Sequence, residues 1–383
     1  MSWASDYVWL LWVLPIGLTL SLGLGWWLRG MEQRRWQLST GTSSQAYFRG
    51  LNHLLNEQHD QAIDAFIEAV QQDPDTTELH FALGSLFRRR GDYDRAVRVH
   101  EHLLQRADLK ASERQRAQHG LAMDFLKAGL LDRAEDALLQ LLQTPYASDA
   151  RLALLSIYER GRDWNQALIM AQQLDGGEQG SFKTRMAHYH CELAQAALRQ
   201  DTGPDPTDQW RAALHLAPQH VRAHLELAQH QHRLGQTEAA WQTLRSCVER
   251  QPGALPLMAP LLLRWVDQDP ALKEGAVALL GVSTNPHASV DVTLAQARFT
   301  PETSAQRLEA HLAAEPSLIV AAEALEQVRD TLPAHVLETV ARSASPMQRY
   351  RCAACGFEAH TYFWQCPGCQ TWDSFPALRV EEL

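Results

Sequence analysis

The most specific chemistry in the sequence lies in four cysteines near its C-terminal end. They form two Cys-x-x-Cys pairs, Tyr350-Arg-Cys352-Ala-Ala-Cys355-Gly-Phe and Cys366-Pro-Gly-Cys369, separated by ten residues. Each pair aims two thiolates at one point from a tight turn, and two such turns complete a tetrahedron around one metal ion. Gly356 and Gly368 suit these knuckles, where a positive φ or an exposed amide is needed. Four sulfur ligands leave no open position, so the ion is expected to be structural rather than hydrolytic. Such a site accepts iron or zinc, and the ligand set does not separate them. A pair of redox Cys-x-x-Cys motifs is the competing reading, but the βαβ pattern that accompanies that chemistry is missing around them. Cys191 and Cys247 stand alone in helical sequence and read as buried free thiols.

A terminal segment of roughly 30 residues is too small to fold on its core alone. Metal binding, worth on the order of 10 kcal/mol, would supply much of its folding free energy. Its aromatic residues are Phe357, Tyr362, Phe363, Trp364, Trp372 and Phe375, more than a knuckle of this size can hide within itself. Exposed aromatic clusters mark contact surfaces. The knuckle is therefore expected to pack on the rest of the chain through Trp364 or Trp372, rather than to swing freely on residues 343–348.

The element available to receive it is a helical repeat. Gly50 and Gly84 are 34 residues apart, as are Ala62 and Ala96, and His59-Asp-Gln-Ala62 matches Tyr93-Asp-Arg-Ala96. Leu131-Asp-Arg-Ala134 follows after a four-residue insertion, and Asp163-Trp-Asn-Gln-Ala167 follows that. Ala194 and Ala228 repeat the 34-residue spacing, and so do Pro218 and Pro252. Small residues where two helices cross, a large apolar residue on the second helix and a proline after it make the tetratricopeptide pattern. Gly50, Ala62, Phe66, Ala69 and Pro74 carry it in the first copy. The copy ending at Pro218 has Pro206 where alanine is expected. From Leu255 to Ser345 the pattern stays helical but loses the 34-residue register, with breaks at Asn285-Pro286 and Thr300-Pro301. Stacked helix pairs form a superhelix whose concave groove binds peptides or protein surfaces.

At the other end, Val8 to Leu28 is an uncharged stretch of 21 residues, long enough to span a bilayer as a helix. Asp6 is the only charge before it, and Trp26-Trp27-Leu28-Arg29 ends it, which disfavours a cleaved signal peptide. Arg29, Arg34 and Arg35 follow the span and no Lys or Arg precedes it, so the positive-inside rule puts the bulk of the chain in the cytoplasm. The formal net charge of −10 argues against general nucleic-acid binding. His188, His190, His224, His230 and His232 form the densest histidine group and read as solvated or groove-lining side chains. Arg88-Arg-Arg90 reads as a solvated helix end. Phosphate-loop, G-x-S-x-G and H-E-x-x-H motifs do not occur, and no catalytic residues are assigned.

An N-terminal anchor, a linker, tetratricopeptide repeats and a terminal knuckle together resemble the LapB (YciM) family, lipopolysaccharide assembly protein B. The segments Tyr350-Arg-Cys352-x-x-Cys355-Gly-Phe357 and Trp364-x-Cys366-Pro-x-Cys369 are similar to that family's terminal motif. Gln370 departs from it, standing where a rubredoxin knuckle often carries glycine. The expected architecture is all-α: a tetratricopeptide-repeat superhelix with an N-terminal transmembrane helix and a small C-terminal rubredoxin-like metal-binding domain with four cysteine ligands. The expected boundaries are 1–30 for the anchor, 31–44 for the linker, 45–252 for the repeats, 253–345 for degenerate repeats or a cap, and 346–383 for the metal domain. The resemblance implies a non-enzymatic scaffold in the bacterial inner membrane that regulates lipopolysaccharide biosynthesis. It implies three protein partners: the membrane protease FtsH, the deacetylase LpxC whose degradation is promoted, and a restraining regulator of the PbgA/YejM type. The rival expectations are an assembly chaperone for another envelope complex and a rubredoxin-like electron-transfer module.

Overall fold

A computed structural model describes residues 45–177, 180–199, 205–281 and 289–383. The expected anchor and linker, and the break at Asn285-Pro286, lie outside these residues. Among the described residues no helix is long and apolar enough to cross a membrane. The chain divides into two compact units, one ending at Gly161 and one running from Arg162 to Leu383.

In the first unit, α1 (45–55), α2 (His59–Gln72), α3 (Thr77–Arg90), α4 (Tyr93–Gln105), α5 (Ala111–Ala128), α6 (Leu131–Leu139) and α7 (Ala147–Gly161) follow one another. From α2 onward, each helix packs on the next. The alanines that carry the sequence repeat, Ala62, Ala69, Ala96 and Ala134, are all fully buried. Small residues there let the helices approach closely. Gly50 shows how closely: a Cβ on it would come within 2.8 Å of the Phe66 ring.

One repeat later that place is taken by a polar side chain. His100 stands 34 residues after Phe66, and a Cβ on either Gly84 or Gly120 would come within 2.6 Å of its ring. Its Nδ1 lies 2.6 Å from Oδ2 of Asp124, which is fully buried. Oδ1 of Asp124 accepts a 2.7 Å hydrogen bond from Arg88, which also donates to the Gly120 carbonyl at 3.1 Å. Arg88 is thus a structural partner of a buried carboxylate and not a solvated helix end. Arg90 fits the solvated reading better, pairing at 3.0 Å with the exposed Asp60.

The second unit continues with α8 (Trp164–Leu174), α9 (Lys183–Leu198), α10 (Pro206–Leu216), α11 (Val221–Arg233), α12 (Thr237–Arg250), α13 (Leu255–Gln268), α14 (Lys273–Leu280), α15 (Val290–Phe299), α16 (Ser304–Ala314), α17 (Leu318–Gln327) and α18 (Ala334–Ala344). Pro206 opens α10 at a first-turn position, where no amide hydrogen is required, and Asp205 caps the helix by accepting from the Thr207 amide at 2.9 Å. The break at Thr300-Pro301 ends α15 and starts a 3-10 turn at Pro301–Thr303. Cys191 and Cys247 are fully buried free thiols. Burial pushes both thiols up, Cys247 to about 12, so neither is poised as a thiolate. After α18 the chain forms β1 (Tyr350–Arg351) and β2 (Glu358–Ala359), an antiparallel pair that holds the first knuckle.

Candidate metal centre and its docking surface

The two knuckles are built alike. The Gly356 amide donates to the Cys352 carbonyl at 2.9 Å, and the Gln370 amide donates to the Cys366 carbonyl at 2.8 Å. The Cys352 amide bonds the Phe357 carbonyl, and the Cys366 amide bonds the Thr371 carbonyl. β1 and β2 flank the first turn, and a bridge between Gln365 and Trp372 flanks the second. The left-handed residue of the first turn is Gly356, at φ 78°; that of the second is Gln370, at φ 60°. Gly368 has no positive φ, which leaves the exposed amide as the alternative expected there, and a Cβ on it would meet only ordinary contacts, at 3.5 Å and beyond. The second knuckle therefore asks a non-glycine residue to adopt the left-handed region.

The knuckles bring the sulfurs of Cys352, Cys355, Cys366 and Cys369 within 4.8 Å of one another. Cys352 and Cys369 sulfurs are 3.8 Å apart, and those of Cys355 and Cys366 are 3.6 Å apart. A tetrahedron with metal–sulfur bonds of about 2.3 Å has edges of about 3.8 Å, so the cage fits one such ion. None of the four is in a disulfide. Burial raises the Cys352 thiol, but hydrogen bonds from Ser374 and the backbone of Cys355 and Ala354 hold it at about 6. A hydrogen bond with the Thr371 side chain lowers Cys369. The Phe357 amide lowers Cys355, but burial and the three other thiols drive it to about 12. Thiolates this close repel one another, and a cation between them removes the conflict. The arrangement fits one structural metal ion, with iron and zinc equally accommodated.

Tyr350, Cys352, Cys366 and Phe375 form the small core of the domain, with Tyr362 and Phe363 against it. Trp372 points outward and packs on the helices. Its ring stacks on His188 of α9, with centroids 4.5 Å apart and planes 22° apart, and meets Trp164 and Tyr189 edge-on. The neighbouring Asp373, itself left-handed at φ 49°, bonds His188 Nε2 through Oδ2 at 2.8 Å. His188 also packs edge-to-face with His220, their ring centroids 4.3 Å apart. His220 Nδ1 accepts from the Ala223 amide and so caps α11, and burial, reinforced by His188, Arg222 and His224, pushes this imidazole down to about 2. The docked knuckle of the sequence expectation is what the structure contains, with Trp372 as its anchor.

Two members of the histidine group, His188 and His224, differ from the solvated expectation. His188 and His224 are buried, His224 bonding the Pro218 carbonyl at 2.9 Å. His190 bonds Gln209, His230 packs on Trp210, and His232 stacks on Trp265. His190, His230 and His232 are half-buried, and among the described residues the five rings do not converge with other ligands on a second metal site.

A second attachment lies in the last residues of the chain. Arg379 grips Asp291 of α15 with two 2.8 Å hydrogen bonds and covers the Tyr350 ring at 4.1 Å. Glu382 accepts from the Val290 amide at 2.9 Å, at the start of α15. Glu381 accepts from the Leu318 amide at 3.0 Å and from the Ser317 hydroxyl, at the start of α17. Carboxylates placed at helix N-termini satisfy orphan amides and meet the positive end of the dipole. Nothing in the sequence around Arg379 signals these contacts.

With this geometry in view, two family profiles match the chain: a rubredoxin metal binding domain over residues 350–376, and a tetratricopeptide repeat over 49–107 and 191–254. "Lipopolysaccharide assembly protein B" of Escherichia coli K12 is 28% identical over 376 residues, covering 94% of this chain and 97% of that protein. The Haemophilus influenzae protein of the same name is 26% identical over 388 residues, covering 95% and 98%. The chain resembles lipopolysaccharide assembly protein B along nearly its whole length. Both the repeats and the knuckle of the LapB-like layout are thus present in one sequence. Among solved structures, a MamA crystal structure aligns with a TM-score of 0.30 at 14% identity over 56% of this chain and 93% of that one, too slight a likeness to argue from.

Proposed function

We propose that the chain is a membrane-tethered, non-enzymatic adaptor of the LapB type. Residues 1–30 would anchor it in the bacterial inner membrane with residues 45–383 in the cytoplasm. Cys352, Cys355, Cys366 and Cys369 would hold one metal ion that keeps the knuckle folded. Bound there, the ion crosslinks the two turns and performs no reaction. The repeats would present a client to a membrane protease, which by the resemblance means LpxC presented to FtsH, under restraint by a PbgA/YejM-type partner. Lipopolysaccharide synthesis would be regulated through the abundance of that client. The observation that carries this reading is the seating of Trp372 and Asp373 on His188, which makes the metal domain part of the wall of the repeat array. Tethering supports it physically, because confinement near a membrane partner raises a client's effective concentration without any new contact.

The test is crosslinking in membranes followed by identification of partners, paired with client half-life in cells expressing a form lacking residues 1–30. The expected result is capture of a membrane protease and its client by the full chain, and a client that persists when the tether is missing. Full client turnover by the untethered form at native abundance would overturn the tethering. Capture of an unrelated envelope complex would replace the reading with an assembly chaperone.

A further inference from the structure

The docked knuckle and the helices beneath it enclose a cleft of about 380 Å³. Helices α8 and α9 supply Trp164, Glu192 and Gln195, with Arg162 and Arg199 beside their ends, and the knuckle supplies Tyr362, Phe363 and Trp364. Arg222 also reaches the cleft, but Glu192 at 2.9 Å and Glu226 at 2.7 Å neutralise it. Arg162 and Arg199 are different. Both are exposed, and among the described residues neither guanidinium has a hydrogen-bond or ion-pair partner. In a chain of net charge −10, two such guanidinium groups at one aromatic-walled cleft stand out.

We propose that this cleft is a recognition site for an acidic peptide segment of a protein partner. Guanidinium groups bind carboxylates with two parallel hydrogen bonds, and the aromatic walls suit the apolar residues between the acids. Gln195 adds an amide that can both donate to and accept from a peptide group. The concavity favours an extended chain over a lipid surface, because a bilayer cannot follow a recess between two elements. This inference rests on the reading of the chain as a protein-binding scaffold and names the chemistry of one segment it holds. The aromatic lining comes largely from the knuckle, so the segment binds the docked, metal-loaded form. Metal and peptide must then strengthen each other's binding by the same factor.

The probe is a fluorescein-labelled hexapeptide of alternating aspartate and leucine, with the alternating lysine–leucine peptide as its counterpart, titrated into full-length metal-loaded protein in detergent. The acidic peptide is expected to bind at least tenfold more tightly than the basic one. Arg162→Glu with Arg199→Glu should weaken it at least tenfold, whereas the double lysine variant should retain most of the binding. Both arginines are exposed, and unchanged metal content and helicity check that the variants are folded; the double glutamine variant provides a second reading without charge reversal. Removing the metal with a chelator should weaken the acidic peptide as well. Equal affinity for the two peptides, or indifference to both charge variants, overturns the proposal. So does binding that survives metal removal. Loss of retention on phosphatidylglycerol vesicles in the charge variants, with peptide binding unchanged, overturns it in favour of an anionic surface. Client turnover measured alongside separates the two ideas: a chain that turns over its client yet ignores the acidic peptide is an adaptor without this site.

Discussion

The indole of Trp372 lies against the imidazole of His188, a residue 184 positions earlier, while the adjoining carboxylate of Asp373 holds the same imidazole at 2.8 Å. One ring of α9 thus receives both the apolar and the polar half of the knuckle's contact. His188 is fully buried by it. Trp372→Ala should remove the stacking surface and leave the Asp373–His188 bond open to water. For a half-buried indole the cost is about 1–3 kcal/mol, below the usual range for a fully buried one. Hydrogen exchange is expected to quicken in residues 350–376 and in Lys183–Leu198 together. Exchange that changes only within the knuckle would show that the contact does not hold the domain in place.

Metal removal reaches the same interface from the other side. Cys352→Ser is expected to abolish the one-to-one metal content and to deprotect α9 as well as the knuckle, because the turn that orients Trp372 is closed by the Cys366 amide on the Thr371 carbonyl. Cys191→Ser and Cys247→Ser should leave metal content unchanged, since both thiols are buried in helix packing away from the cage. Elemental analysis of the purified proteins decides both halves, and the visible spectrum distinguishes iron from zinc.

The buried imidazole of His220 gives the second unit a pH dependence of known sign. Burial, with His188, Arg222 and His224 adding to it, holds the folded-state value near 2, against an ordinary value of 6.5. Between those values the unfolded chain binds a proton that the folded chain does not, so stability is full above pH 6.5 and falls as the pH drops through that range. From about pH 7 to about pH 5.5 the unfolded-state proton alone costs about 1 kcal/mol. His220→Asn retains a side-chain acceptor for the Ala223 amide and removes the titration. Urea unfolding at the two pH values should show a smaller acid loss in the variant; identical losses would mean that another group dominates.

In the first unit, Gly84→Ala is expected to destabilise by about 1–3 kcal/mol, the usual range for overpacking. The added methyl would approach the His100 ring to 2.6 Å, and His100 cannot turn away without releasing the buried Asp124. Gly253→Ala, with open space around it, is the control and should be close to neutral. Thermal unfolding of the two variants measures the contrast.

The legible parts of the molecule are those with a period or a fixed spacing. The 34-residue recurrence of alanine and glycine marks where helices cross, and two Cys-x-x-Cys turns mark the cage. Their physics is local, so the signal is local too. Trp372 is readable as a surplus aromatic, but its partner is not: His188 looks like any helix histidine until the fold brings Asp373 to it. Arg88 escapes the sequence for the same reason, since its buried partner Asp124 lies a whole repeat away. Gly356 follows the rule for left-handed turns, whereas the equivalent residue of the second knuckle is Gln370, marked only by the resemblance to a rubredoxin knuckle, which often carries glycine there.

The tail contacts supply the last expectation. Glu381 serves the start of α17, where it accepts from the Leu318 and Ile319 amides, and Glu382 serves the start of α15. Burial raises the Glu382 carboxyl, whereas its hydrogen bonds from the Arg379 and Val290 amides lower it, so the charged form is held in place at a cost. Glu381→Ala removes a carboxylate cap and should cost about 1 kcal/mol, because Ser317 still caps α17 through the Val320 amide. Arg379→Ala should cost more, since it leaves Asp291 without its two-pronged partner and uncovers the Tyr350 ring. If the tail fastens the knuckle to these helices, Arg379→Ala should speed hydrogen exchange at 289–299 and Glu381→Ala at 317–327, each also within the knuckle, while leaving α9 near its normal protection. An effect confined to the first turn of each helix would reduce the tail to a pair of local caps.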